Sequence, residues 1–189
     1  LRIDIKLDTE KKTLTISDRG VGMTAEEIDK YLNQLAFSGA EEFLEKYKGQ
    51  NENNIIGHFG LGFYSAFMVS DKVEVFSKSF KEDAKAVRWE CDGSPEFTLE
   101  EVEKENRGTD IVLHINDESK EFLDAYRIEA MLQKFCRFLP VPIYFKNENE
   151  KPSELKEVET APEEKSINNP TPAWTKKPSE LTDEDYINF

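Results

Sequence analysis

Two glycine-punctuated turns carry the residues with the clearest chemical potential: Asp18-Arg19-Gly20-Val21-Gly22-Met23-Thr24 and Gly57-His58-Phe59-Gly60-Leu61-Gly62-Phe63. Glycine lets a backbone press against a ligand with no Cβ in the way. The first turn offers a carboxylate beside an open backbone, which suits the polar edge of a base. The second offers backbone N–H groups ahead of a helix, where Gly60, Leu61, Gly62 and Phe63 suit phosphate. A carboxylate that accepts an amino N–H selects adenine, because guanine presents a carbonyl at that position and is repelled. Each feature also has a plain structural alternative. Asp18 suits an Asx-type turn, the glycines suit a tight turn into a packed helix, and Met23, Leu32 and Phe63 serve equally as ring-sandwiching walls or as core. The P-loop pattern and the G-x-G-x-x-G dinucleotide pattern are both absent.

The elements that must position these turns follow from periodicity. Leu1–Leu7 alternates apolar and polar, and Thr13–Ser17 places Leu14 and Ile16 on one face, so the two runs predict an antiparallel hairpin that ends at Asp18. Thr24 and Glu27 form a capping box opening a helix with Ile28, Tyr31, Leu32 and Leu35 at helical spacing. A second short helix is expected around Phe43, Leu44 and Tyr47, followed by an exposed polar loop over 49–54. Phe63–Val69 is almost wholly apolar and predicts a buried helix. Strands are expected at Lys72–Ser79, Lys85–Cys91, Glu96–Val102 and Thr109–Ile115. A helix over Asp124–Leu139 should turn Ile128, Met131, Leu132, Phe135 and Leu139 inward, with a closing strand at Ile143–Phe145.

Beyond Phe145 the composition changes. Residues 146–165 are almost entirely charged, Pro or Asn, a linker composition. Ile167–Trp174 is proline-rich and extended, and Thr182 offers an N-cap for a further helix. The 189 residues fit one domain plus an appendage. A net charge of −14 argues against nucleic acid or an anionic membrane as partner. Cys91 and Cys136 stand far apart, with no metal-ligand spacing, and read as reduced packing cysteines. His58 and His114 have no nucleophile at a recognisable spacing; His58 reads as structural and His114 as the outward residue of a strand. There is no initiator Met, and Leu1 begins inside a strand pattern, which suggests a fragment.

The motifs Asp18–Thr24, Ala36-Phe37-Ser38-Gly39, Ile55–Val69 and Arg107–Ile115, in that order, resemble the N-terminal ATP-binding domain of the ninety-kilodalton heat-shock chaperones, in their bacterial HtpG branch. The resemblance implies an α/β two-layer sandwich, with a mostly antiparallel mixed sheet and helices on one face, as in gyrase, MutL and histidine kinases. It implies a nucleotide domain over 1–145, a charged linker over 146–166 and the start of a middle domain over 167–189. It makes Asp18 the adenine-selecting carboxylate, helped by Gly22 and Thr109 through water. Met23, Leu32 and Phe63 would line the base pocket, Gly60, Leu61, Gly62 and Phe63 would hold phosphate, and a lid over 34–57 would hinge near Ser38 and Gly39.

ATP or ADP, with magnesium in the intact domain, are the implied ligands. Client proteins and a homodimer built through other domains are the implied partners, in the cytoplasm. Tyr31 and Phe37 stand where many relatives carry Asn and Lys. The magnesium-binding Asn and the general-base Glu are expected upstream of Leu1, with no catalytic residue in this chain. General-base help is worth about 10²–10⁴ in rate, so little turnover is expected of this stretch alone. A nucleotide-sensing module without turnover and a gyrase- or MutL-like ATPase are the alternatives.

Overall fold

The computed structural model describes residues 1–33, 61–150, 165–175, 177, 179, 181 and 182. The expected short helix at Phe43–Tyr47, the loop at 49–54, the lid at 34–57, Phe37, His58 and most of the linker lie outside them, as does the helix after Thr182.

The described residues form a mixed sheet of seven strands: β1 (Ile3–Asp8), β2 (Thr13–Asp18), β3 (Ser70–Lys78), β4 (Ala86–Cys91), β5 (Phe97–Val102), β6 (Gly108–Ile115) and β7 (Ile143–Asn147), in the order β5-β4-β3-β6-β2-β1-β7. Neighbours run antiparallel except β1 and β7, which are parallel. This is the mostly antiparallel mixed sheet that the family resemblance implies. The parallel pairing of β7 is possible because the chain first crosses over through a helical segment, since parallel neighbours need a long connection.

Register sorts the side chains onto two faces. Val73 and Val75 pair with Leu113 and Ile111 on one side and with Cys91 and Trp89 on the other. All of these but Ile111, together with Ile28, Val87 and Ile115, form the buried cluster, and Ile111 packs against it half-buried. The opposite face carries Lys72, Glu74, Arg88, Glu90 and His114. There Arg88 and His114 bond the Glu74 carboxylate, and Lys72 lies 3.6 Å from it. His114 thus faces outward as expected, but into an ion-pair network.

The helix α1 (Ala25–Leu32) and the 3-10 segments Gly62–Met68 and Asp117–Leu123 supply residues to the apolar side, and the helix α2 (Ala125–Phe135) follows the second segment. Two expectations change here. In place of the buried helix expected over Phe63–Val69, the chain forms a 3-10 helix over Gly62–Met68 with no buried residue, and Met68 is 79% exposed. Only one stripe, Phe63, Ala66 and Phe67, meets the core, because residues three apart eclipse in a 3-10 helix and present a narrow contact. The helix expected over Asp124–Leu139 ends at Phe135, where Cys136 N–H bonds the Leu132 carbonyl. Ile128 is buried, but Phe135 is 70% exposed. It lies on the same helix side about 10 Å farther along the axis, at the end of the helix.

Residues after the linker return to the sheet. Ile167 N–H bonds the Ile143 carbonyl, and Asn168 Oδ1 accepts the Ile143 N–H at 2.8 Å. Asn168 Nδ2 donates to the Leu139 and Val141 carbonyls, each at 2.9 Å, and the residue is 6% exposed. Trp174 packs edge-on against Phe138 with ring centroids 4.6 Å apart.

Candidate functional site

The site is built where β2 ends. Ser17 pairs with Asp110, so the antiparallel register continued by one residue sets Asp18 beside Thr109, which pairs in turn with Ser77. Asp18, Thr109 and Ser77 therefore form a polar row across the apolar side of the sheet, one step beyond Ile16, Ile111 and Val75.

Two glycines close the turn over this row. Gly22 has φ +62°, and a Cβ there would collide with the Lys78 carbonyl; Gly108 has φ +115°, and a Cβ there would collide with the Asp18 carbonyl. Only glycine allows both this backbone conformation and this approach. The turn is then held by polar contacts: Phe80 N–H to the Val21 carbonyl at 2.8 Å, and Met23 N–H to Ser77 Oγ at 2.9 Å. Ser77 Oγ lies 2.9 Å from Thr109 Oγ1.

Asp18 Oδ1 accepts the Gly20 N–H at 2.6 Å. Its Oδ2 has no partner among the described residues. The turn-forming and ligand-binding roles are thus compatible, one oxygen for each. The residue is half-buried, and the hydroxyl row stands at its side.

The helix that follows is anchored as its capping box requires. Thr24 N–H donates to Glu27 Oε2 at 2.9 Å, and Glu27 N–H donates to Thr24 Oγ1 at 3.3 Å. Burial pushes the Glu27 carboxyl up, but the Lys81 ammonium at 2.6 Å and the Thr24 amide outweigh it and hold the pKa below the ordinary value. At the far end Trp89 Nε1 donates to Asn33 Oδ1 at 2.9 Å, and the Tyr64 hydroxyl donates to the Leu32 carbonyl at 3.0 Å. Helix α1 is therefore tied at one end to β3 and at the other to β4 and the 3-10 segment.

Met23, Leu32 and Phe63 all pack on the core cluster, Phe63 edge-on to Trp89 at 5.6 Å. Leu61 is half-exposed at the start of the 3-10 segment, and a Cβ on Gly62 would meet open space. Ser38, Gly39 and Gly60 lie outside the described residues, so the row is described on its sheet side only. Tyr31 stands beneath the Lys30 ammonium, 5.2 Å from its ring centre. Two clefts elsewhere, of about 640 and 240 Å³, are lined by Lys78, Lys85 and Lys104 and by Arg2, Tyr144 and Lys146. Asp18 lines neither. Among the described residues no cluster of His, Cys, Asp or Glu is arranged to hold a metal ion.

Ser77 escaped the reading of the sequence. Its signal is a serine at a position where the alternation Val73, Val75 calls for a third apolar side chain.

The family described as "Histidine kinase-, DNA gyrase B-, and HSP90-like ATPase" matches residues 1–118, a span that contains the whole polar row. The chain belongs to this family. Along 187 residues it is 65% identical to the chaperone protein htpG of Bacteroides fragilis, covering 99% of this chain and 27% of that protein. It is 57% identical to the chaperone protein HtpG of Porphyromonas gingivalis over 190 residues, 100% of this chain and 27% of the relative. The corresponding protein of Clostridium perfringens is 41% identical over 194 residues, 99% of this chain and 31% of the relative. The chain thus spans under a third of the length of these relatives. The likeness to the HtpG branch holds over its full extent, and the sheet with helices on one face accords with an HSP90-like ATPase.

Proposed function

We propose that this chain is the ATP-binding part of an ATP-dependent chaperone, in which nucleotide binding and closure of a lid over 34–57 drive a dimeric clamp acting on unfolded or partly folded clients. The observation that carries the nucleotide assignment is Asp18, with one oxygen held by Gly20, the other unpartnered among the described residues, and Thr109 beside it. Such a carboxylate accepts the exocyclic amino group of adenine. Met23 and Leu32 supply apolar walls, and Gly60, Leu61, Gly62 and Phe63 take the phosphates. The chaperone role follows from the likeness to the chaperone protein HtpG of these relatives.

Magnesium does not fit the described residues, which hold no ligand cluster. We infer that the stretch by itself binds nucleotide with little turnover, as the family resemblance implies. The domain division follows the same resemblance: 1–145 nucleotide domain, 146–166 linker, 167–189 opening of the next domain. A cytoplasmic homodimer is the corresponding assembly. No helix among the described residues is long and apolar enough to cross a membrane.

Calorimetry with ATP and ADP on the full-length protein tests the pocket. Asp18→Asn should weaken ATP binding about ten- to a hundredfold, the worth of a charge-assisted hydrogen bond. Unchanged affinity would sink the adenine assignment. Phosphate release by the same protein decides between an ATPase and a sensor that binds without turnover.

A further inference from the structure

Ser77 is fully buried, at 0% exposure, and its hydroxyl lies between three polar groups. It has one proton to give and two lone pairs to receive with. One lone pair takes the Met23 N–H at 2.9 Å. The proton then goes either to Thr109 Oγ1 at 2.9 Å or to the Gly108 carbonyl at 3.5 Å. Hydroxyl donors bond best at about 2.7–2.8 Å and weaken with distance, so Thr109 is the acceptor. Thr109 must then send its own proton away from Ser77. The register places Asp18 on that side. The opposite polarity would turn lone pairs of Thr109 toward a carboxylate, acceptor against acceptor.

We propose that Ser77 is a positioning residue for base recognition: it fixes the Thr109 hydroxyl as a donor toward Asp18 and the ligand, without touching ligand itself. The donation runs in one direction, from the Met23 amide through Ser77 to Thr109 and on to the site. The inference rests on the nucleotide assignment and adds an ordered relay behind it. Without Ser77 the Thr109 hydroxyl is free to rotate, and part of its directional contribution is lost.

A double-mutant cycle on ATP affinity in the full-length protein tests this, with Ser77→Ala, Thr109→Val and the pair together, by calorimetry. Each single change should weaken binding roughly five- to tenfold, the scale of one hydrogen bond. The pair should be no weaker than Thr109→Val alone, because Ser77 acts only through Thr109. Losses that multiply would overturn the relay and assign Ser77 a packing role, as would unchanged affinity in Ser77→Ala. A packing role shifts the unfolding midpoint but leaves no coupling to Thr109. Should Ser77→Ala not fold, Ser77→Cys, close in size and a poor hydrogen-bonding group, enters the same cycle. Asp18→Asn run alongside separates the failures. If Asp18→Asn binds ATP normally, or the parent protein does not bind at all, the nucleotide assignment falls and the relay with it. If Asp18→Asn is weakened while the cycle is additive, only the relay falls.

Discussion

Asp18 and Glu74 are carboxylates on the same sheet, and their surroundings differ in kind. Glu74 lies on the polar face among basic side chains, with Arg88, His114 and Lys72 on its two oxygens. Asp18 lies at the edge of the apolar face, where a backbone amide holds one oxygen and a hydroxyl row stands beside it. The first is saturated by its own chain, and such a group stabilises a fold. The second is placed rigidly and left half-satisfied, as a binding group must be, because an acceptor already fully paired gains nothing from a ligand.

The placement itself can be broken. Gly22→Ala must adopt φ +62° and push a methyl group into the Lys78 carbonyl. We expect it to cost about 3 kcal/mol or more of stability, read as a fall in the denaturant midpoint, with loss of ATP binding. Gly62→Ala is the control: its Cβ would face open space, and the midpoint should move by less than about 0.5 kcal/mol. Equal effects at the two glycines would mean that the first turn is not locked onto β3.

The two carboxylates should separate binding from stability. Glu74→Gln removes the charge that Arg88 and Lys72 face and that the His114 ring contacts, which should lower stability by about 1–3 kcal/mol and leave ATP affinity within twofold of the parent. Asp18→Asn should show the converse, since its amide oxygen still accepts the Gly20 N–H. A large affinity loss in Glu74→Gln would erase the contrast.

The smallest effect is in pH. Burial pushes the Glu74 carboxyl up, but hydrogen bonds from His114 and Arg88 and the nearby Lys72 outweigh it, leaving the pKa below its ordinary 4.5. A carboxyl depressed in the folded state binds protons more readily when unfolded. Its contribution is therefore present above about pH 4.5 and fades as the pH falls through the lower folded value. Urea midpoints between pH 6 and 3 should fall less steeply for Glu74→Gln than for the parent. Parallel slopes would show that Glu74 is not held low by its partners.

The legible parts of this protein were those with local causes. Period-two alternation placed the hairpin Ile3–Asp18 and the strands after Ser70, and the capping box Thr24–Glu27 marked the start of α1 to the residue. Asp18, Gly22 and Thr109 were legible as motif residues. Their mutual placement was not, since it comes from the β2–β6 register, set by strands more than ninety positions apart in the chain. The same holds for the misjudged pieces. Phe135 and Met68 are apolar by type and exposed by position, because apolar character gives no information about where a neighbouring surface ends.

Ser77 marks the boundary between the two kinds of information. As a residue it is one more hydroxyl in an alternating strand, and the sequence determined only that it faces inward. Folding decided that inward, at that row, means between the Met23 amide and Thr109. The reason is physical: strand periodicity is written in neighbouring residues, whereas a hydrogen bond across a sheet depends on register, twist and the glycines that let Gly22 and Gly108 come close. The sequence by itself determined the strands, the cap and the candidate carboxylate. Tertiary structure alone decided which oxygen of Asp18 is occupied and which hydroxyls stand behind it.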